Sequence, residues 1–176
     1  MAMATTPSQR KQLIYKDLHK YHTHCRHNGF WKIFLCIVFG ERSYRNVLFY
    51  RLKHNAVFIR PFLRPNPTLH IHTPEIGSGL LVVHGDATYV YAKSIGENLY
   101  VNQCVTIGVV GNSRPIIGNN VRVATGAIVI GGIQIGDNAT IGAGAVVVKD
   151  VPSNTTVVGN PARIIKQNGK KVNIPL

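Results

Sequence analysis

From residue 95 to residue 147 an aliphatic side chain returns at every sixth position. Ile95, Val101 and Ile107 open the series, and Ile117, Val123, Val129, Ile135, Ile141 and Val147 continue it after one interval of ten. Four positions after these residues sit small or apolar partners: Leu99, Val105, Val121, Ala127, Ile133, Ala139, Ala145 and Val151. Glycine directly follows the repeat residue at Gly96, Gly108, Gly118, Gly136 and Gly142, as a backbone forced round a corner would want. A sustained period of six is the signature of a parallel β-helix. Three hexads make one triangular coil of about 18 residues, stacked on the next at roughly 4.8 Å. A single coil cannot bury its own face, but about five stacked coils can. The long interval holds "VVGNSRP" and predicts a loop thrown outward from the stack.

Ahead of the repeat the pattern changes. Residues 11–60 read as helical, because "KQLIYKDLHKYH" and "RNVLFYRLKH" space apolar residues at helical intervals with basic residues between them. Between them lies "FWKIFLCIVF", residues 30–39, interrupted only by Lys32. This run is too short to span a bilayer; it suits a helix buried against protein or one lying in a membrane interface. "RPFLRPNP", residues 60–67, ends the helical pattern with prolines and reads as a linker. The chain therefore divides into a basic, mainly helical segment with its linker (1–66), a β-helix domain (67–165) and a C-terminal tail (166–176).

Composition narrows the class. With 45% hydrophobic and 15% charged residues, the chain is neither a disordered tail nor a coiled coil. The net charge of +13 is lopsided: residues 1–64 carry 12 Lys and Arg against 2 acids, and residues 65–176 carry 8 against 5. Such a field attracts polyanions in general. The β-helix nevertheless lacks a basic stripe interleaved with aromatics, which argues against nucleic acid. Cys25, Cys36 and Cys104 have no CxxC spacing and an odd count, which fits reduced thiols in the cytoplasm. Cys104 reads as an inert small residue. The opening "MAMATTPSQRKQ" lacks the apolar stretch expected of a secretion signal.

One histidine stands out. His84, in "GLLVVHGDATYV", lies between branched apolar residues and a glycine. Counted from Val82 by coils, it heads a column continued by Gln103, Thr125, Ala143 and Pro161. Polar, small and turn-forming residues along one edge describe a groove for a long thin ligand. A three-histidine zinc site needs later histidines, and no histidine follows His84. The cluster "HKYHTHCRH" (His19, His22, His24, Cys25, His27) shows no closed ligand spacing and reads as solvated basic surface.

The hexads, the "HG" at His84-Gly85, "NQCVTIG" before the loop and the closing "IGAGAVVVKDVPSNTTVVGNPARII" resemble the serine acetyltransferase branch of the hexapeptide-repeat acyltransferases, over residues 70–165. The resemblance implies an all-β solenoid, a left-handed parallel β-helix of about five coils. It also implies a homotrimer that binds acetyl-CoA between subunits and needs no metal. His84 would be the general base on an acceptor hydroxyl. Thr125 and Ala143 would flank the pantetheine arm, Val148 and Lys149 the next contact region, and Arg163 and Lys166 the CoA phosphates. The match departs from the family at two places. His70, in "HIH", stands where the family has the aspartate that orients the imidazole, so that Asp86, Glu75 or a backbone carbonyl would have to substitute. In the loop, Ser113 and Arg114 replace an Arg-His pair that holds the serine carboxylate. His70, Asp86, Gln103 and Arg114 are thus the candidate acceptor-binding residues, with L-serine or a sugar hydroxyl of a surface-polysaccharide precursor as acceptor. A cytoplasmic enzyme is implied, and the basic N-terminal segment would suit contact with the inner face of the membrane. A non-catalytic basic trimeric scaffold is the reading from another class.

Overall fold

The six-residue series points inward. Ile95, Val101, Ile107, Ile117, Val123, Val129, Ile135, Ile141 and Val147 are all buried, as are the partners four places on. Together they form one continuous core. Burying each such side chain contributes about 1.5–3 kcal/mol, and the outward neighbours in these short strands supply the solvated face. The structure, a computed structural model, describes residues 6–25, Leu35 and residues 38–176.

Three sheets form the sides of the prism. The first runs β1 (Leu69–Ile71), β3 (Thr88–Val90), β6 (Thr106–Gly108), β9 (Ile128–Ile130) and β12 (Val146–Val147). The second comprises β4 (Ser94–Ile95), β7 (Ile116–Ile117) and β10 (Gln134–Ile135), extended by bridges at Ile76 and Val151. The third begins with β2 (Leu81–Val82), β5 (Tyr100–Val101), β8 (Arg122–Val123) and β11 (Thr140–Ile141), and continues into β13 (Thr155–Val158). Pairing up to β13 is parallel, and Arg122 pairs with Thr140, 18 residues on. The fold is a left-handed parallel β-helix of about five coils.

The corner glycines do a different job from the one the sequence suggests. Gly96, Gly118 and Gly136 do not have positive φ; they let adjacent coils touch. A Cβ on Gly96 would stand 2.5 Å from Asn119 Oδ1, and one on Gly136 would stand 2.4 Å from the Ser153 nitrogen. The left-handed turn falls two residues later, on Asn98, Asn120, Asn138 and Asn154, whose φ values lie between 56° and 59°. Asparagine tolerates that region better than most residues. Their carboxamides also form a ladder: Asn98 donates to Asn120 (3.1 Å), Asn120 to Asn138 (3.1 Å) and Asn138 to Asn154 (3.0 Å).

Where a tail is expected, the chain instead makes a hairpin. β14 (Arg163–Gln167) and β15 (Lys170–Pro175) add antiparallel strands to the third sheet. Asn168 and Gly169, both at positive φ, make the turn, and Asn-Gly is a strong hairpin signal.

The N-terminal segment packs on the first coils. α1 (Pro7–Cys25) starts from a capping box, with the Gln9 amide donating to Thr6 Oγ1 and the Thr6 amide to Gln9 Oε1. α2 (Arg42–Leu52) follows, then a 3₁₀ turn over Lys53–Phe58. Tyr21 and Tyr44 meet edge to face at 5.0 Å. The buried faces of both helices also carry charge. Arg51 Nε lies 2.8 Å from Asp17 Oδ2, and its terminal nitrogens donate to the carbonyls of Ile76 and Gly77 (2.6 Å each). Asp17 Oδ1 accepts the amides of Gly79 and Leu80 (2.8 and 2.9 Å). Burial pushes the Asp17 carboxyl up, while Arg51 and those amides pull it back. The apolar run 30–39 lies largely outside the described residues. Among the described residues no helix is long and apolar enough to cross a membrane.

Candidate active site

The corner from the third sheet to the first has one repeated form and one exception. Four residues separate Val101 from Thr106, Val123 from Ile128 and Ile141 from Val146, but six separate Val82 from Tyr89 at the equivalent strand positions. The extra pair is His84-Gly85, and both sit in the left-handed region (φ 65° and 64°). Register from the far side follows the backbone bonds Cys104 N–H to Asp86 O (2.7 Å), Gly126 N–H to Gln103 O (3.2 Å) and Gly144 N–H to Thr125 O (3.0 Å). The stacked column is therefore Asp86, Gln103, Thr125 and Ala143. His84 is an insertion at its head, and since Ile141 pairs with Val157, the forward count ends on Gly159 and not on Pro161.

The insertion is held by the N-terminal segment. The His84 carbonyl accepts Ser43 Oγ (2.7 Å) and Asn66 Nδ2 (3.3 Å). Asn66, buried within the stretch that reads as a linker, also donates to Asp86 Oδ1 (2.8 Å) and accepts from the Thr68 amide and hydroxyl (3.0 and 2.9 Å). Asn46 Oδ1 in turn accepts the Asn66 amide (2.7 Å). Tyr21, through its hydroxyl, fixes both main-chain groups of Val82. Sequence reasoning missed Ser43, Asn46 and Asn66, because nothing in local composition marks a buried polar hub. The His84 side chain itself is exposed.

Below His84 the edge is shallow and small-sided. Gln103 and Thr125 are half-buried and Ala143 is exposed, while a Cβ added at Gly144 would meet no atom within 4 Å. Cys104, expected as an inert small residue, is a free exposed thiol on this edge.

The remaining candidates fall elsewhere. Asp86 is turned to Asn66, and Glu75 lines a cleft with Arg10, Tyr50 and Lys53. His70 points outward from β1 within a row of rings: it stacks on His72 (6.0 Å, 8°), both lie against Tyr89 (5.1 and 5.4 Å), and His72 meets Tyr91 at 6.2 Å. Arg114 caps that row, 5.2 Å over the Tyr91 ring. It comes from the outward loop, whose Val110 and Ser113 exchange backbone bonds of 3.1 and 3.0 Å. Arg114, Val148 and Lys149 occupy the corner from the first sheet to the second. Within one chain the first sheet thus separates them from His84, Thr125 and Ala143. Lys149 Nζ donates to the Leu176 oxygen (2.9 Å) and Arg163 Nε to Asn173 Oδ1 (2.7 Å), while Lys166 is exposed on β14. Among the described residues no cluster of three metal-ligating side chains forms.

A family model described as bacterial transferase hexapeptide (six repeats) matches residues 114–149. Serine acetyltransferases of Staphylococcus aureus and Staphylococcus epidermidis are 44% and 41% identical over 103 residues, 56% of this chain and 48% of each relative. The solved serine acetyltransferase of Brucella abortus has a TM-score of 0.74 at 26% identity, over 92% of this chain and 71% of that one. That of Neisseria gonorrhoeae scores 0.72 at 28% identity, over 94% and 68%. The chain is thus similar to serine acetyltransferases and carries a stretch of the hexapeptide-repeat kind. It spans about half the length of the curated relatives it matches. The matched hexads are those whose residues build the inner wall, and the Arg114 loop opens the matched stretch.

Proposed function

We propose that this protein is an acetyl-CoA-dependent O-acetyltransferase in which His84 is the general base. The observation that carries the reading is the two-residue insertion that lifts His84 out of an otherwise regular corner, at the head of the small-sided Gln103–Thr125–Ala143 edge. The edge fits a thin pantetheine arm because little projects from it, and the cations of Arg163 and Lys166 suit the CoA phosphates. The imidazole takes the proton of the acceptor hydroxyl as its oxygen attacks the thioester carbonyl. Collapse of the tetrahedral centre breaks the C–S bond, and the imidazolium returns the proton to the departing thiolate. Backbone N–H groups at the edge are the candidate donors to the oxyanion, and holding thioester and alcohol together supplies much of the remaining rate.

The split of candidates between two edges of the first sheet supports a homotrimer. An edge bearing His84 and Thr125 that faced a neighbour's edge bearing Arg114 and Lys149 would reunite the set. Acetyl-CoA as donor implies work in the cytoplasm.

The relatives' shared name points to L-serine as acceptor. The ring row of His70, His72, Tyr89 and Tyr91 favours a second acceptor, a sugar hydroxyl. A flat aromatic row suits the apolar face of a pyranose, and Arg114 is engaged on Tyr91 where a carboxylate partner would be wanted. The test is thiol release from acetyl-CoA with L-serine and with nucleotide- or lipid-linked sugars, by wild type and His84→Ala. The expected result is turnover with one acceptor, reduced by roughly 10² or more in the variant. CoA that fails to bind would leave a basic trimeric scaffold and overturn the proposal.

A further inference from the structure

The helical segment presents a ridge of large apolar side chains to solvent. Phe58 and Phe62 are 78% and 83% exposed, and Val57 and Phe39 are 62% and 63% exposed. These residues belong to one surface. Arg45 draws its parts together: its guanidinium donates to the carbonyls of Val38 and Phe39 on one side and of Arg64 (2.8 Å) on the other. Beneath the ridge, Val38, Ala56 and Leu63 are buried in a common cluster with Phe49 and Tyr44. The exposed rings therefore stand on a packed base and are not the fraying end of the chain.

Charge surrounds the ridge with one sign. Between residues 35 and 64 the only acid is Glu41. Arg42, Lys53, Arg60 and Arg64, each within five residues of one of these apolar side chains in sequence, are exposed, while Arg51 is neutralised by Asp17. Exposed aromatics ringed by cations are costly to leave in water and suit one kind of partner, a bilayer with anionic headgroups. Rings enter the interface and the cations meet the phosphates. A second copy of the chain fits less well, since a self-complementary contact would bring these cations against each other.

We infer that the Phe39–Val57–Phe58–Phe62 ridge docks the protein on an anionic membrane surface. Of the ridge residues only Phe39 belongs to the apolar run 30–39, and the inference does not depend on the acetyltransferase reading.

Co-sedimentation of the full chain with vesicles tests it, using phosphatidylcholine alone and phosphatidylcholine with a third of phosphatidylglycerol. The wild type binds the anionic vesicles and is weakened by salt. Phe58→Ser with Phe62→Ser lowers the partition coefficient by roughly tenfold or more, without changing the melting temperature. Arg42→Gln with Arg64→Gln lowers it by about 30-fold and flattens the salt dependence. Wild type that ignores anionic vesicles overturns the inference. So does binding that the arginine pair reduces and the phenylalanine pair leaves intact, which would mean unspecific charge attraction. Sedimentation velocity covers the self-association case: an assembly broken by Phe58→Ser with Phe62→Ser, in a protein that does not bind vesicles, makes the ridge a contact between copies.

Discussion

Truncating Asn66 to alanine separates the holding of His84 from its chemistry. A non-glycine residue in the left-handed region costs about 1–2 kcal/mol, and His84 has φ 65°. The bonds from Ser43 Oγ and Asn66 Nδ2 to its carbonyl, each worth about 1 kcal/mol net, offset that cost. Removing Asn66 shifts the balance by about 1 kcal/mol, or about fivefold in the population of the observed turn. Removing Ser43 as well shifts it by about 2 kcal/mol, or about 30-fold. Asn66→Ala also loses the bonds to Asp86 and Thr68, but those partners are exposed and regain water. The stability cost is about 2–3 kcal/mol, a melting shift of roughly 5–10 °C. Steady-state thiol release should show kcat falling about fivefold in Asn66→Ala and about 30-fold in Ser43→Ala/Asn66→Ala. The KM for acetyl-CoA should hold, since Thr125 and Ala143 lie two and three coils below. In a His84→Ala background Asn66→Ala should change kcat no further. A double variant within twofold of wild type, or an equal loss in the His84→Ala background, would refute the positioning role.

The scaffold makes three further predictions. Asn138→Ala loses two rungs of the ladder and strains a φ of 59°, so urea unfolding should show a loss of about 2–3 kcal/mol, with Asn138→Gly costing about half. Gly96→Ala drives a methyl to 2.5 Å from Asn119 Oδ1 and should destabilise by about 2–4 kcal/mol, against about 1 kcal/mol for Gly144→Ala, where the strain is in φ alone. Arg51→Ala strands the buried Asp17 and should cost about 3–5 kcal/mol by thermal melts. Arg51→Lys should recover less than half, because one ammonium cannot serve Asp17 and two carbonyls at once.

The β-helix was legible because its signal is a count. Each inward Ile or Val sits where the period puts it, and the interval between Ile107 and Ile117 announced the loop. The asparagine column recurs once per coil, at intervals of 22, 18 and 16 residues, yet glycine drew the eye, although at Gly96 and Gly136 the constraint is contact between coils and not backbone sign. The hairpin at Asn168-Gly169 had a plain local signal that the charged sequence around it obscured. His84 stood out by its neighbours in the sequence, but its column was placed from one side only, because an insertion has no register until both flanking strands are paired. Asp17, Arg51 and Asn66 were beyond pattern reading. Each is a polar residue inside, and apart from the local Thr68 bonds to Asn66 what satisfies it lies at least eighteen residues away in sequence.

The β14–β15 hairpin protects an edge. A stack of parallel coils presents, at its last rung, open strand edges on which another coil or another molecule could continue the same ladder indefinitely. On the third sheet the chain reverses twice after β13, so that the edge strand is β15, antiparallel to β14 and bearing exposed Lys170, Lys171 and Pro175. β15 runs in the same sense as β13, so an incoming strand would be discouraged by two like charges and a missing donor. On that face of the prism, a ladder that could template further strands is blunted by charge and proline.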